Sequence, residues 1–442
     1  MGNDNGAKKS NNQKFRWRFS HTGALVFLLV FLFAQPTSTN NRGFFFSFLR
    51  HNGHNSNINE KLQQQQEEEQ QQQFCEPWPN CVLPPRPPKY STLCKVLDQW
   101  SPNDPEIKNR PPSLPPSSFL VPRFNVSVAA EAVLAQRYRQ AEVPFLITGV
   151  PDLTAAGQKW DREYLRSVFA NTIDRDDYKI EESRMTNVED GKLNNTFLYY
   201  SKGKIKGKWK HFERPQILRN DLGYNHFDAM AERVNNLEGY TANTDPLLYT
   251  GISANLGGQQ DWIRDALPFL VGDGSLDPDP TLFIPFPSNE WKGINCRFGM
   301  KGIVQTAHYD GHRNMIAMVK GRKRYIVLPP LSCSNLELFP RGHPSARHAS
   351  FDWADHRERQ AEHRRLLLPN NRNNNNNNAK NNNEPSSFCG TPAVDLVLEE
   401  GDVLYLPSFW FHYIVSLDKS VQCNSRSGKG TAGQDIIQQC GF

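Results

Sequence analysis

Apolar residues in the second half of the chain fall into runs of strand length. Positions 294–306 and 316–328 run apolar or alternate, and 394–398, 403–406 and 413–417 are shorter runs of the same kind. Gly, Pro, Asp and Ser clusters bound them, which reads as strands joined by turns. Earlier, VPFLITGV at 143–150 reads as a strand closed at Gly149, and 246–250 starts another. Helical spacing is confined to 129–140, 160–170 and 227–237. A few early helices followed by many short strands predict a mainly β domain with N-terminal helical decoration. A jelly roll suits this pattern, because its two facing sheets set distant strands beside one pocket.

The remaining stretches cannot bury a core. A Gln/Glu run at 63–73, Pro-rich segments at 84–88 and 111–116, and an Asn tract at 370–383 are low in complexity and polar. At the start, basic residues from Lys8 to Arg18 precede an unbroken apolar run at 24–34. That layout predicts a secretory signal or short signal anchor, with a single membrane pass and a lumenal domain. The alternatives are a secreted protein, or a cytoplasmic or nuclear one where the run has no signal function. The expected organisation is a basic tail at 1–21, the anchor or signal peptide at 22–36, a stem at 37–118, one folded domain at 119–430 and a tail at 431–442. Within the domain, the Asn-rich insertion near 366–387 is expected to be a surface loop, since lengthening a loop costs little.

A formal net charge of +5 over 442 residues is small and indicates no dedicated nucleic-acid surface. None of the eight cysteines forms a C-x-x-C pair, which argues against a zinc ribbon. Their even number is compatible with disulfides, whose pairing the spacing leaves open.

The candidate chemistry lies in TAHYDGHRNMIAMVKGRKRYIVLPP at 306–330 and GDVLYLPSFWFHYI at 401–414. On a strand, residues two apart share a face, so His308 and Asp310 converge, and a neighbouring strand can add His412. Two imidazoles and one carboxylate on one face of an octahedron suit Fe(II) and leave positions for a chelating co-substrate and O2. The bare pattern is weak: with 12 His and 46 acidic residues, chance supplies about one His-x-acid pair. The chain carries four, at His211/Glu213, His226/Asp228, His308/Asp310 and His356/Glu358.

Context singles out the third. His308-Tyr309-Asp310, Asn314, the run from Lys320 to Tyr325 and Leu328-Pro329-Pro330 resemble the JmjC and cupin-like 2-oxoglutarate oxygenases, particularly the asparaginyl-hydroxylase type acting on hypoxia-inducible factor. Gly401-Asp402-Val403-Leu404-Tyr405-Leu406-Pro407, with Trp410-Phe411-His412, resembles the same family's second metal-ligand strand. The resemblance implies a double-stranded β-helix, His308, Asp310 and His412 as iron ligands, and 2-oxoglutarate and O2 as co-substrates. It also implies Lys323 and Tyr249 on the far carboxylate, with Asn314 and Asn424 lining the pocket. The family carries Ser or Thr three residues before the first histidine. Here that position is Gln305, with Thr306 beside it as the candidate substitute, reached only through a shift of register. The implied activity is hydroxylation of a side chain on a protein or peptide substrate. A lysine demethylase is the alternative enzyme, and a non-catalytic cupin-like scaffold the alternative from another class.

Overall fold

A computed structural model describes residues 88–98, 121–170, 179–183, 196–201, 203, 207–236, 246–254, 260–271, 291–351, 353, 388–426, 428 and 430–442. Its strands are β1 (Ser91–Thr92), β2 (Arg123–Asn125), β3 (Phe145–Thr148), β4 (Lys179–Ser183), β5 (Thr196–Phe197), β6 (Gln216–Arg219), β7 (Leu248–Ala254) and β8 (Ile294–Gly299). They continue with β9 (Val304–Tyr309), β10 (Asn314–Lys320), β11 (Lys323–Leu328), β12 (Pro392–Leu398), β13 (Val403–Leu406), β14 (Phe411–Ser416) and β15 (Ser420–Arg426). One sheet has the order β2-β3-β13-β10-β15-β8-β7-β4-β6 and the other β1-β12-β11-β14-β9-β5. From β8 onward the chain repeatedly changes sheet, so that β8, β10, β13 and β15 stand against β9, β11, β12 and β14. This is the expected jelly roll.

Three apolar clusters hold it together. Ile316, Met318, Leu404 and Leu406 from the larger sheet meet Tyr325, Val327, Val394, Leu396 and Ile414 from the smaller one. The outer face of the larger sheet is covered by Leu153 and Ala156 of the helix Pro151–Lys159, Leu165 of Arg162–Val168 and Phe227 of Tyr224–Asn236. The smaller sheet is covered by Leu93, Val96 and Leu97 of the helix Leu93–Asp98 and by Trp353. Because both faces are covered, β11 and β14 are buried throughout and read in sequence as continuous runs instead of alternating ones.

The run at 294–306 is two strands, β8 and β9, parted by a turn. The run at 316–328 is likewise two strands, β10 and β11, which pass from one sheet to the other through a turn at Gly321, whose φ of +67° excludes most side chains. A β-carbon at position 321 would also collide with the backbone carbonyl of Lys419. Inside the span assigned to a stem, residues 91–98 form β1 and a helix, and Cys94 is disulfide-bonded to Cys389. Three apolar residues suffice there because β12 supplies an edge for β1 to extend. Within the last twelve residues, the helix Gln434–Gln439 buries Ile437, and Cys440 is joined to Cys333.

The membrane expectation does not stand. Among the described residues no helix is long and apolar enough to cross a membrane; the longest, Tyr224–Asn236, has 13 residues against the roughly 20 a span requires. The signal anchor, the transmembrane helix and the lumenal placement are set aside accordingly. The apolar run at 24–34 that prompted them lies outside the described residues, as does the Asn-rich insertion near 366–387.

Candidate metal centre and its cavity

β9 and β14 are antiparallel neighbours, and His308 and His412 are direct partners in their register. Their ring centres lie 4.1 Å apart. Asp310 follows at the end of β9, where its backbone carbonyl accepts from Phe409 N–H at 2.8 Å. That bond ties the turn before β14 to the carboxylate-bearing residue. One ligand atom from each of His308, Asp310 and His412 lies within 4.8 Å of the others, so the three could hold a metal ion.

Both imidazoles are oriented by the chain that carries them. His308 Nδ1 lies 2.8 Å from Thr306 O, and His412 Nδ1 lies 3.1 Å from Trp410 O. A ring that donates through Nδ1 keeps Nε2 as a lone-pair donor, the tautomer a metal needs. Burial pushes His412 down to about 3, with His308 adding to it, and burial also lowers His308. Both rings are therefore neutral at neutral pH. Burial alone would raise the Asp310 carboxyl, but Arg426 and then the two histidines hold it well below the usual carboxylate range. Its Oδ2 accepts from Asn314 Nδ2 at 2.9 Å and from Arg426 at 2.8 Å, which leaves Oδ1 to face the histidines. Asn424 Nδ2 donates to Asn314 Oδ1 at 3.1 Å and completes the chain of contacts.

The centre opens on a cavity of about 560 Å³ between the sheets. Tyr249, Asn314 and Asn424 line it beside the three candidate ligands. Lys323 does not; it is 1% exposed and lies with Nζ 5.8 Å from the centre of the Tyr249 ring. Arg324 is fully buried as well and pairs with Asp395, whereas Lys320 and Arg322 at the turn stay partly exposed. Thr306 is also absent from the lining, and Gln305 is present.

A slip in register explains the exchange. His412 pairs with His308 but Ile414 pairs with Gln305, so three steps on β9 oppose two on β14. The bulge turns Gln305 and His308 to the same side despite their odd spacing. Gln305 Nε2 donates to the Tyr249 hydroxyl, and Thr306 Oγ1 is buried without a partner.

Sequence reasoning missed His348 and Arg297. His348 stacks on His308 with ring centres 4.5 Å apart and planes 13° from parallel. It sits after β11, in a stretch without a strand-length apolar run, where the sequence carries no signal for it; in the structure its neighbours Ala346 and Ala349 are buried. Arg297 lines the cavity from β8, and in INCRFG it reads as an ordinary outward residue of an alternating strand. Of the other His-x-acid pairs, Asp228 is consumed by Arg162, Arg166 and Lys419, and His356 lies outside the described residues.

Facing sheets with a two-histidine, one-carboxylate corner at the mouth of their cavity define a jelly roll of the cupin type with a candidate metal centre. Residues 130–425 match the family model described as "Cupin-like domain", and the chain belongs to that family. It is 30% identical over 132 residues to the lysine-specific demethylase JMJ30 of Arabidopsis thaliana, a match covering 30% of this chain and 25% of that protein. It is 27% identical over 126 residues to the lysine-specific demethylase JMJ32 of the same plant, covering 28% of this chain and 36% of that protein. The matches thus span about a quarter to a third of those relatives. They support the JmjC and cupin-like family and do not single out the asparaginyl-hydroxylase type.

Proposed function

We propose that the chain is an Fe(II)- and 2-oxoglutarate-dependent oxygenase that hydroxylates a side chain of a protein or peptide. The observation that carries this reading is the convergence of His308, Asp310 and His412 within 4.8 Å at the mouth of the polar cavity between the sheets. The donor set fits Fe(II): two neutral imidazoles with Nε2 free and a carboxylate with one oxygen free. Bound there with 2-oxoglutarate, iron supplies the oxidising power that reduction of O2 releases on decarboxylation of the co-substrate. The chain's own residues orient the donors. Asn314 and Arg426 fix the carboxylate, and the backbone carbonyls of Thr306 and Trp410 fix the rings.

Both relatives carry the name lysine demethylase, which makes demethylation the second reading. The charge of the cavity favours the first. Arg214, Arg297, Arg347 and Arg426 line it against Glu181 and Asp310, and each of those acids already pairs with an arginine, at 2.7 Å and 2.8 Å. A methylated lysine is a cation and would enter an already positive wall.

Succinate formation from 2-oxoglutarate by purified protein with Fe(II) tests the enzyme. Asp310→Ala is expected to lower it at least 100-fold, consistent with removal of a metal ligand or its orienting shell. Equal turnover by both proteins would return the chain to the scaffold reading. Formaldehyde release from methyl-lysine peptides would instead select the demethylase.

A further inference from the structure

Of the four arginines that line the cavity, three are answered by a carboxylate. Arg214 pairs with Glu181 at 2.7 Å and Arg426 with Asp310 at 2.8 Å, and the Glu181 carboxylate also attracts Arg297. Arg347 is the fourth. Among the described residues its guanidinium makes no ion pair and lies over the face of the Tyr309 ring, with Cζ 5.8 Å from the ring centre. Its charge is felt at the candidate metal centre: burial lowers both His308 and His348, and Arg347 lowers them further.

The chain goes to some expense to hold the residue there. Arg347 has a φ of +77°, one of three non-glycine residues with positive φ among those described. A β-carbon is crowded in that region, so an arginine is strained where a glycine would not be. Contacts on both sides impose the conformation. Ala346 is buried, His348 N–H donates to Ser345 O at 3.2 Å, and Ala349 N–H donates to Ala307 O at 2.7 Å, which fastens the turn to β9. On the same rim the Tyr199 ring lies parallel to that of His348, with centres 6.3 Å apart, and is 56% exposed. An accessible aromatic face and a guanidinium without a counter-ion thus stand beside His348.

We propose that Arg347 pairs the side-chain carboxylate of an Asp or Glu in the protein or peptide substrate, so that the segment presented to the metal centre is an acidic one. A guanidinium offers a carboxylate two parallel N–H groups, and a partner of that sign offsets the positive charge of the rim. Tyr199 supplies area on which a neighbouring substrate residue packs. The inference rests on the oxygenase reading and adds a substrate class to it.

The test incubates the full chain with Fe(II), 2-oxoglutarate and a mixture of synthetic peptides of random sequence, acetylated and amidated so that every carboxylate is a side chain. Mass spectrometry identifies the peptides that have gained one oxygen atom and the residues around the gain. Asp and Glu are expected to exceed their share in the mixture about 10-fold at one position relative to the modified residue, the effect of one charge-assisted pair. Added salt is expected to shrink that excess. Arg347→Gly removes the side chain while easing the backbone, so the unfolding midpoint is expected to hold or rise while the excess is lost. Arg347→Glu is expected to replace it with an excess of Lys and Arg, a result that damage to the fold does not produce. Oxidised peptides without a charge preference, or an acidic preference that both variants keep, overturn the inference and leave the oxygenase reading standing. Succinate formed with no peptide oxidised does the same. Neither succinate nor an oxidised peptide overturns the oxygenase reading itself, and this inference with it.

Discussion

Lys323 is the cavity neighbour whose charge changes near neutral pH. Without ligand it titrates at about 7; a carboxylate bound beside it favours the ammonium and raises that value. Binding above pH 7 then takes up a proton, so affinity for 2-oxoglutarate is expected to be highest below 7 and to fall as pH rises toward 9. Tyr249, pushed up to about 12 by burial, does not titrate in that window. Calorimetry at several pH values checks this, and Lys323→Met should flatten the dependence. The next residue has a purely structural task. Arg324 Nε donates to Asp395 at 2.8 Å and its Nη2 to Val96 O at 2.7 Å, all within the buried outer layer. Arg324→Ala leaves a carboxylate buried and unpaired, with an expected loss of about 3–5 kcal/mol in urea unfolding. The double variant Arg324→Met with Asp395→Leu should recover most of it.

At the level of strands, alternation was readable and its interruptions were not. The spacing of His308 and Asp310 on one strand, with His412 supplied by another, follows from period-two geometry, and the register of β9 against β14 places them together. The exchange of Gln305 for Thr306 could not be read the same way, because a bulge is a two-strand property and the sequence of β9 alone carries no mark of it. Lys323 and Arg324 follow directly on the turn at Gly321 in a run of charged residues, yet both are buried, Lys323 towards the inside of the sandwich and Arg324 beneath the helix that covers its outer face. Arg297 was unreadable for a related reason: its environment is made by Gly251, 46 positions earlier in numbering and directly opposite in the sheet. The helix Leu93–Asp98 lies in a polar span, and its three buried residues form no amphipathic pattern long enough to stand out.

Across the whole molecule, the covalent links run between regions far apart in sequence. Cys94–Cys389 joins residues separated by 295 positions and Cys333–Cys440 residues separated by 107. On loop-closure grounds each such link contributes on the order of 4 kcal/mol relative to the open chain. A reductant is expected to lower the midpoint of thermal unfolding, and Cys94→Ser to lower it in the absence of reductant; scanning calorimetry under both conditions measures this. Retention of the same midpoint in both would show that noncovalent packing alone holds β1 and its helix.

The direct pairing of β9 with β14 also orders events in time. During synthesis the histidine of β9 emerges with Asp310 beside it but about a hundred residues before its cross-strand partner. A nascent chain halted ahead of β14 carries two of the three candidate donors on an unclosed edge, and only pairing of β14 with β9 supplies the third. On the oxygenase reading, the donor set is therefore complete only once β14 has been made and has paired with β9.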